Sequence, residues 1–513
     1  MIVHGHEVTA PLRETADVCI IGSGCGGGAA AKVLAESGKR VVVLEEGGAY
    51  APHEFRSSGE WAYTNLYQDR GGLATEDLAV TVLVGRCVGG SSAVNWTTSL
   101  RTPEFVLDRW TREMSVTGFS PREIEPYFER VERYLNIHPE PDHRHNRQNS
   151  IILKGAAALG YRVRATGRNV RDCVELGVCG YGCTAGAKMS VDVTYLADAV
   201  KAGATVHADC RADRIESAGS VRRVHGSVLD RASRARRLPV TVEAPLVIVA
   251  GSAVSSPLIL QRSGLGNADH RGRHLTFHLT CAVAGVYDEV QDPWKGIPQS
   301  AMCDEFMNKN GDGSGFWIEA VPLDPILAAM GLPGFGHSHR ELMEKMRHLA
   351  VSIILVKESD SEGTVRPSDA GRPLMTYDRG PRDRAMLRRA LAEAARIHFA
   401  AGAREVLTLH ARRTLIPSVG EIDRVLDNAD WDDNEISLYS AHPLGTCRMG
   451  EDARAAVVDS RGRVHGATGV FVVDGSVLPT SLGVNPQVTI LAVAEKNAEW
   501  IAEHWAAAVG TST

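Results

Sequence analysis

Three groups of residues have types and spacings that could do chemistry. The first is Gly22-Ser-Gly24-Cys-Gly-Gly27, with an acid, Glu45, 23 residues after Gly22. Glycine at these positions permits a tight turn, close backbone approach to a pyrophosphate and close helix–strand packing. The helix that follows offers free backbone N–H groups to phosphate. Glu45, ending the next strand, would accept hydrogen bonds from a ribose diol, while Glu46 should point away. The pattern implies a dinucleotide and does not choose between FAD and NAD. The second group is Cys173-x5-Cys179-x3-Cys183, in the glycine-rich loop around 177–186. Thiolates clustered on pliable backbone suit an iron–sulfur cluster. The alternatives are zinc with His138, His143 or His145 as fourth ligand, a local disulfide, or three small residues packed in a tight loop. The third group is His442 followed by Pro443, and Asn485 followed by Pro486. Histidine titrates near neutrality and suits proton transfer, and each proline stiffens the backbone beside its neighbour.

The elements that must position these residues can be read from the hydrophobic pattern. Asp17–Ile21 and Val41–Leu44 are apolar runs typical of buried parallel strands, and the alanine-rich stretch between them is helical. Together they form a βαβ unit. Residues 50–105 are irregular and glycine-rich. Helix is expected over Pro121–Tyr134 and Tyr195–Ala202, and strand over Thr205–Ala208. Residues 213–245 alternate like a small antiparallel meander, ending in the strand Leu246–Ala250. From about 281 to 430 short strands (Cys281–Tyr287, Phe316–Val321, Val351–Val356) mix with helices, of which Arg382–Ala401 has the clearest apolar face.

Composition narrows the classes. A chain of 513 residues with 44% hydrophobic and 23% charged residues is a globular protein of several units, not a disordered chain, collagen or coiled coil. The net charge of −6 argues against nucleic acid as a partner. No apolar run is long enough for a transmembrane segment. Residues 1–18 carry no basic patch followed by an apolar stretch, so the expected location is cytoplasmic, with export beside a signal-bearing partner as the alternative. Ten cysteines are too few for a disulfide scaffold.

Further motifs carry a family resemblance. Gly85-Arg-Cys-Val-Gly89-Gly90-Ser91-Ser92-Ala-Val94-Asn95, followed by Leu100-Arg-Thr-Pro-Glu104, resembles the flavin-wrapping segment of the glucose–methanol–choline (GMC) oxidoreductases. Val249-Ala-Gly251-Ser-Ala-Val-Ser-Ser-Pro257, leading into Arg262-Ser-Gly264, is similar to that family's second signature. His442–Gly450, Val473-Asp474-Gly475-Ser476 and Gly483-Val-Asn485-Pro486 resemble its catalytic end. The matches follow the family's order over residues 17 to 500.

The resemblance implies a fold and a reaction. The fold would be an α/β FAD-binding Rossmann-like domain with an inserted α+β substrate domain built on an antiparallel sheet. The FAD-binding domain would comprise 1–105, 195–280 and 431–513, and the substrate or cap domain 106–194 and 281–430. The reaction would be FAD-dependent oxidation of an alcohol to an aldehyde or ketone by hydride transfer to flavin N5, with His442 as base and Asn485 as its partner on the substrate oxygen. Gly89, Gly90, Ser91, Ser92 and Asn95 would line the flavin, Asp474 and Gly475 the ribityl chain, and Pro486 the end of the site. Val94 stands where some relatives carry a histidine linked to FAD, so non-covalent FAD is expected. The motifs resemble those of long-chain-alcohol- and sterol-oxidising members, implying a bulky or hydrophobic alcohol. The cysteine spacing resembles iron–sulfur-bearing FAD-dependent sugar dehydrogenases, implying as alternative a sugar or polyol dehydrogenase that passes electrons through a cluster to an external acceptor. The electron acceptor would be oxygen, a quinone or a redox protein. Two readings from other classes are a nicotinamide-dependent dehydrogenase and a scaffold that has lost catalysis. His4, His278 and His465 are assigned no chemistry.

Overall fold

The structure is a computed structural model that describes residues 1–511. One layer is a parallel sheet of six strands in the order Ile2–Val3, Thr205–His207, Val41–Leu44, Val18–Ile21, Leu246–Val249, Val470–Val472. Every residue of Val18–Ile21, Val41–Leu44 and Leu246–Val249 is buried, as expected for strands covered on both faces. Helix Cys25–Glu36 leaves the end of Val18–Ile21 and packs against helices Tyr195–Lys201 and Gln487–Glu503. Its run of glycine and alanine, Gly26 to Ala31, is buried throughout, because small side chains let these helices approach closely. The expected meander is present as Cys210–Ala218, Val221–Leu229 and Arg236–Ala244, with Leu12–Thr15 added parallel to its last strand.

The second layer is an antiparallel sheet running Thr414–Ile416, Glu405–Thr408, Leu279–Val286, Leu349–Lys357, Gly315–Ala320, Ala301–Cys303, Val163–Ala165. Helices Arg147–Ala158 and Pro381–Ala400 pack on it. Register fixes which side chains share its other face. Thr280 lies opposite Leu355 and Leu355 opposite Trp317; Ala282 lies opposite Ile353 and Ile353 opposite Glu319. Thr280, Ile353 and Leu355 border the central cavity, so this face looks towards the parallel-sheet layer.

Three elements depart from the expected division of the chain. Val80–Val82 and Leu438–Ser440, expected in the cofactor-binding part, pair with each other and join the antiparallel sheet beside Leu279–Val286. Helix Pro121–Tyr134, expected in the cap, packs on Gln487–Glu503. It buries Ile124, Phe128 and Val131, and Tyr127 donates to Glu499 at 2.9 Å. An amphipathic helix docks on whichever apolar face lies within reach, and sequence order does not name that face.

Candidate active site

A cavity of about 510 Å³ runs between the two layers. At one end, Gly22, Ser23, Gly24, Cys25 and Gly26 line it with Glu45 beside them. Gly24 caps helix Cys25–Glu36, so the helix N-terminus and its free N–H groups face the cavity. Glu45 is 7% exposed, and burial raises its pKa from the usual carboxylate value. One of its oxygens accepts from Ser23 N at 3.0 Å and Ser23 Oγ at 2.7 Å, the other from Gly47 N at 2.8 Å. A carboxylate has about four acceptor sites, so a ribose hydroxyl could still be held. Glu46 pairs with Arg86 at 3.1 Å while also bordering the cavity.

The glycine turn and the segment 85–95 close on each other. A Cβ on Gly90 would lie 2.8 Å from Gly24 Cα, and Gly90 has φ +55°, so only glycine fits at this crossing. Gly89 donates to Ser23 Oγ at 3.1 Å and does not line the cavity; Gly27 packs on Gly22 and likewise stays outside it. Ser91 borders the cavity and accepts from Gly85 N at 2.9 Å. Ser92 also borders it, yet its hydroxyl is spent on Gly89 O and Val191 N. Asn95 bonds to the side chain of Gln487 and accepts from Thr97 N. The carboxylate of Asp474 accepts from Ser252 N and Ser476 N, each at 2.8 Å, and Asp474, Gly475 and Pro486 all border the cavity.

His442 and Asn485 line this same cavity. His442 follows Leu438–Ser440 and its N–H donates to Ser440 Oγ at 3.0 Å. Burial lowers its pKa to about 4, so the ring is neutral at pH 7. Asn485 Oδ1 and Gln487 Nε2 are buried without a hydrogen-bond partner. Buried polar atoms left open beside a cavity mark where a polar ligand completes the bonding. With bare glycine backbone at one end and these open amides at the other, the residues fit FAD. The antiparallel sheet adds Thr280, Ile353, Leu355 and nearby Val321 and Tyr439 to the wall, a largely apolar surface.

The cysteine loop does not gather as a ligand set. All ten cysteines are free thiols. Among the described residues, no group of three or more His, Cys, Asp or Glu side chains stands at metal-binding separation. The guanidinium of fully buried Arg168 lies 3.8 Å from Cys173 Sγ and 3.9 Å from Cys179 Sγ. It also bonds Glu140 at 2.6 Å and Thr97 at 2.8 Å. Lys188 Nζ donates to the carbonyls of Cys179 at 2.7 Å and Ala93 at 2.6 Å. These cations brace the loop against the segment 93–97, and a cluster bound by Cys173, Cys179 and Cys183 does not fit. The zinc alternative finds no more support: none of His138, His143 and His145 joins the cysteines in a group at metal-binding separation among the described residues.

Three residues at the site escaped the sequence. Gly26 presses on the Val473–Asp474 backbone, where a Cβ would lie 1.7 Å from Val473 O. Gln487 presents an open amide. His278, given no chemistry from sequence, has its Nδ1 3.2 Å from Nδ1 of His442, the rings meeting edge to face at 77°. Gly26 left a sequence signal in its place in a glycine run, and His278 in the stretch Gly272–His278, which resembles a turn of the family.

Known proteins resemble the chain throughout. The N- and C-terminal signatures described as GMC oxidoreductase match residues 63–280 and 359–494. A GMC-type oxidoreductase of Sinorhizobium fredii (strain NBRC 101917 / NGR234) is 32% identical, over 98% of this chain and 97% of its own length. A long-chain-alcohol oxidase of Arabidopsis thaliana is 32% identical over 94% of this chain and 67% of its own. Among solved structures, pyridoxine 4-oxidase from Mesorbium loti superposes with a TM-score of 0.70 at 21% identity, covering 95% of this chain and 99% of that one. A formate oxidase superposes with a TM-score of 0.71 at 17% identity, over 97% of this chain and 100% of that one. The chain therefore belongs to the GMC oxidoreductase family.

Proposed function

We propose that the chain is an FAD-dependent enzyme that oxidises the CH–OH group of a bulky or hydrophobic alcohol to an aldehyde or ketone. The observation that carries this reading is the placement of His442 and Asn485 on the same cavity as the Gly22–Gly26 turn and Glu45. FAD, when bound, supplies the hydride acceptor. The start of helix Cys25–Glu36 would hold its pyrophosphate, Glu45 its ribose diol, Asp474 and Gly475 its ribityl region. Val94 offers no side chain for a covalent link. His442 and Asn485 bracket the substrate hydroxyl oxygen and stabilise charge developing on it. The apolar wall of Val321, Ile353 and Leu355 favours a hydrocarbon substituent, as does the long-chain-alcohol oxidase relative. That relative also favours oxygen as acceptor. The sugar-dehydrogenase alternative rests on the cysteine loop, and the absence of a three-residue ligand group there among the described residues favours the alcohol reading over it.

The test is the visible spectrum of the purified protein without air, before and after addition of long-chain primary alcohols, sterols, sugars and short alcohols. Flavin bands bleached by the hydrophobic alcohols and restored by oxygen are expected. Bleaching by sugars alone would overturn the substrate class, and a protein without flavin would overturn the whole reading. Among the described residues, no helix is long and apolar enough to cross a membrane.

A further inference from the structure

We propose that a second cavity, next to the one lined by His442 and Asn485, is the subsite for the far part of the substrate, and that the substrate is an alcohol on a long unbranched hydrocarbon chain. This rests on the reading that an alcohol is oxidised at His442 and Asn485, and narrows it from hydrophobic alcohols at large to one class.

The second cavity measures about 730 Å³, within the range of pockets that hold small organic ligands. It adjoins the first at three places. Thr98 borders the first cavity and Ser99 the second; Asn485 borders the first and Val484 the second. On the antiparallel sheet, Leu355 borders the first, and Trp317, directly opposite it in register, borders the second. At each place the change from one cavity to the other falls between neighbouring residues. Residues opposite each other in antiparallel strands stand on one face, so Tyr439, Thr280, Leu355 and Trp317 form a single row across four strands. The first three of these border the first cavity. Strands lie about 4.8 Å apart, so the row is about 14 Å long. His442, two residues beyond the strand Leu438–Ser440, belongs to the Tyr439 end. An extended chain advances roughly 1.2 Å per bond, so about twelve bonds span the row from the catalytic end to Trp317.

The lining selects the chemical class. The buried side chains of Leu107, Phe128, Met302 and Trp317 give the second cavity an apolar inner wall. Arg101 and Arg164 stand at its more exposed side, held by Glu132 at 2.6 Å and Asp304 at 3.0 Å. Both cations are already paired, so the lining favours hydrocarbon over an acidic group. The first cavity has to hold a dinucleotide beside the carbinol, which leaves the second as the space for a long substituent. A flexible chain can pass between the two by side-chain rotation at Leu355 or Trp317, which leaves the strands paired. A fused ring system is too wide and stiff to follow, and this sets an unbranched chain apart from a sterol. Each methylene taken out of water strengthens binding about three- to fourfold, so length itself becomes the basis of selection.

The test uses the FAD-loaded enzyme and has two arms. In the first, anaerobic flavin reduction is followed with unbranched primary alcohols of increasing length. The half-saturating concentration is expected to keep falling until about twelve bonds separate the carbinol from the chain end. A dependence that levels off by about six bonds overturns the proposal, as does a sterol oxidised as readily as the best chain alcohol. Met302→Trp and, on a separate element, Phe105→Trp put bulk into the second cavity. Each is expected to raise half-saturation by long alcohols at least about tenfold and to leave short ones within about twofold. Long alcohols unaffected by both changes, with flavin retained, overturn the proposal. In the second arm, a long primary alcohol brominated at its far end is titrated without air while tryptophan fluorescence is recorded. Bromine quenches an indole that it touches. Quenching is expected in the parent, with most of it lost in Trp317→Phe; quenching that is absent, or equal in the two, overturns the subsite. This arm needs no turnover. A protein whose flavin no alcohol reduces, but whose Trp317 is quenched, would sink the functional reading and leave the subsite standing.

Discussion

The Nδ1 atoms of His278 and His442 lie 3.2 Å apart, and the far nitrogen of His278 receives two backbone N–H groups of the loop that carries Asn485. The ring of His442 and the backbone that leads into Asn485 are therefore tied together by a third residue. Other features of the site lead to further expectations.

Asn485→Asp exchanges an amide whose oxygen has no partner for a carboxylate beside the substrate oxygen. Negative charge where negative charge must develop is expected to slow flavin reduction by about 100-fold or more, as loss of an oxyanion donor does. Rapid-mixing reduction without air checks this. An unchanged rate would remove Asn485 from contact with the oxygen.

Gly26→Ala should be far more damaging than Gly38→Ala. The first puts a methyl group 1.7 Å from Val473 O, on backbone that cannot yield without moving Asp474. Its cost is expected at about 3 kcal/mol, with flavin lost on purification. The second meets nothing within 4 Å and bears only the strain of φ +84°, about 1 kcal/mol. Thermal unfolding and the flavin-to-protein absorbance ratio separate the two.

Glu319 is buried with neither carboxyl oxygen hydrogen-bonded, and burial pushes its pKa from 4.5 up to about 8. Below 4.5 both folded and unfolded chains hold the proton, and the favourable contribution is complete. Between 4.5 and 8 the folded chain keeps a proton that the unfolded chain has lost. Stability from this site therefore falls as pH rises, by about 1.4 kcal/mol per pH unit. Glu319→Gln abolishes that titration. Melting curves near about pH 5.5 and about pH 7.5 should show the variant losing less stability on alkalinisation than the parent; parallel losses would mean that Glu319 does not titrate in this range.

Replacing Cys173, Cys179 and Cys183 together by serine is expected to leave the flavin bound and its reduction within about twofold, because Cys173 and Cys179 pack against Arg168 and the three thiols are not grouped as a ligand set among the described residues. Arg168→Met should cost about 3 kcal/mol, because it leaves one oxygen of the buried Glu140 carboxylate without its partner while Arg144 holds the other. An absorbance shoulder beyond the flavin bands that vanishes in the serine variant would restore the cluster.

What the sequence disclosed follows from how local the determinants are. The strands Val18–Ile21 and Val41–Leu44, the glycine turn and Glu45 lie within one short stretch, and their geometry is set by near neighbours. Helix Pro381–Ala400 announced itself through Leu387, Leu391, Ala394 and Ile397, all buried on one face. His442 and Asn485 were legible because they sit inside motifs. His278 was not, because its meaning depends on a positive φ and on partners more than 160 residues away. The cysteine spacing left several readings open because spacing along a chain does not say what lies beside the thiols; Arg168 lies beside Cys173 and Cys179. Val80–Val82 was illegible as a strand of the antiparallel sheet because its partner, Leu438–Ser440, lies at the other end of the chain.

That last pairing has a mechanical consequence. The strand Leu438–Ser440 ends two residues before His442, and it is laced on one side to Val80–Val82 and on the other to Leu279–Val286. All three strands belong to the antiparallel layer, so His442 is anchored to that layer and not to the parallel sheet that carries the glycine turn. Any movement between the layers would carry the histidine with it, and turnover should therefore be sensitive to how firmly the two layers are held together.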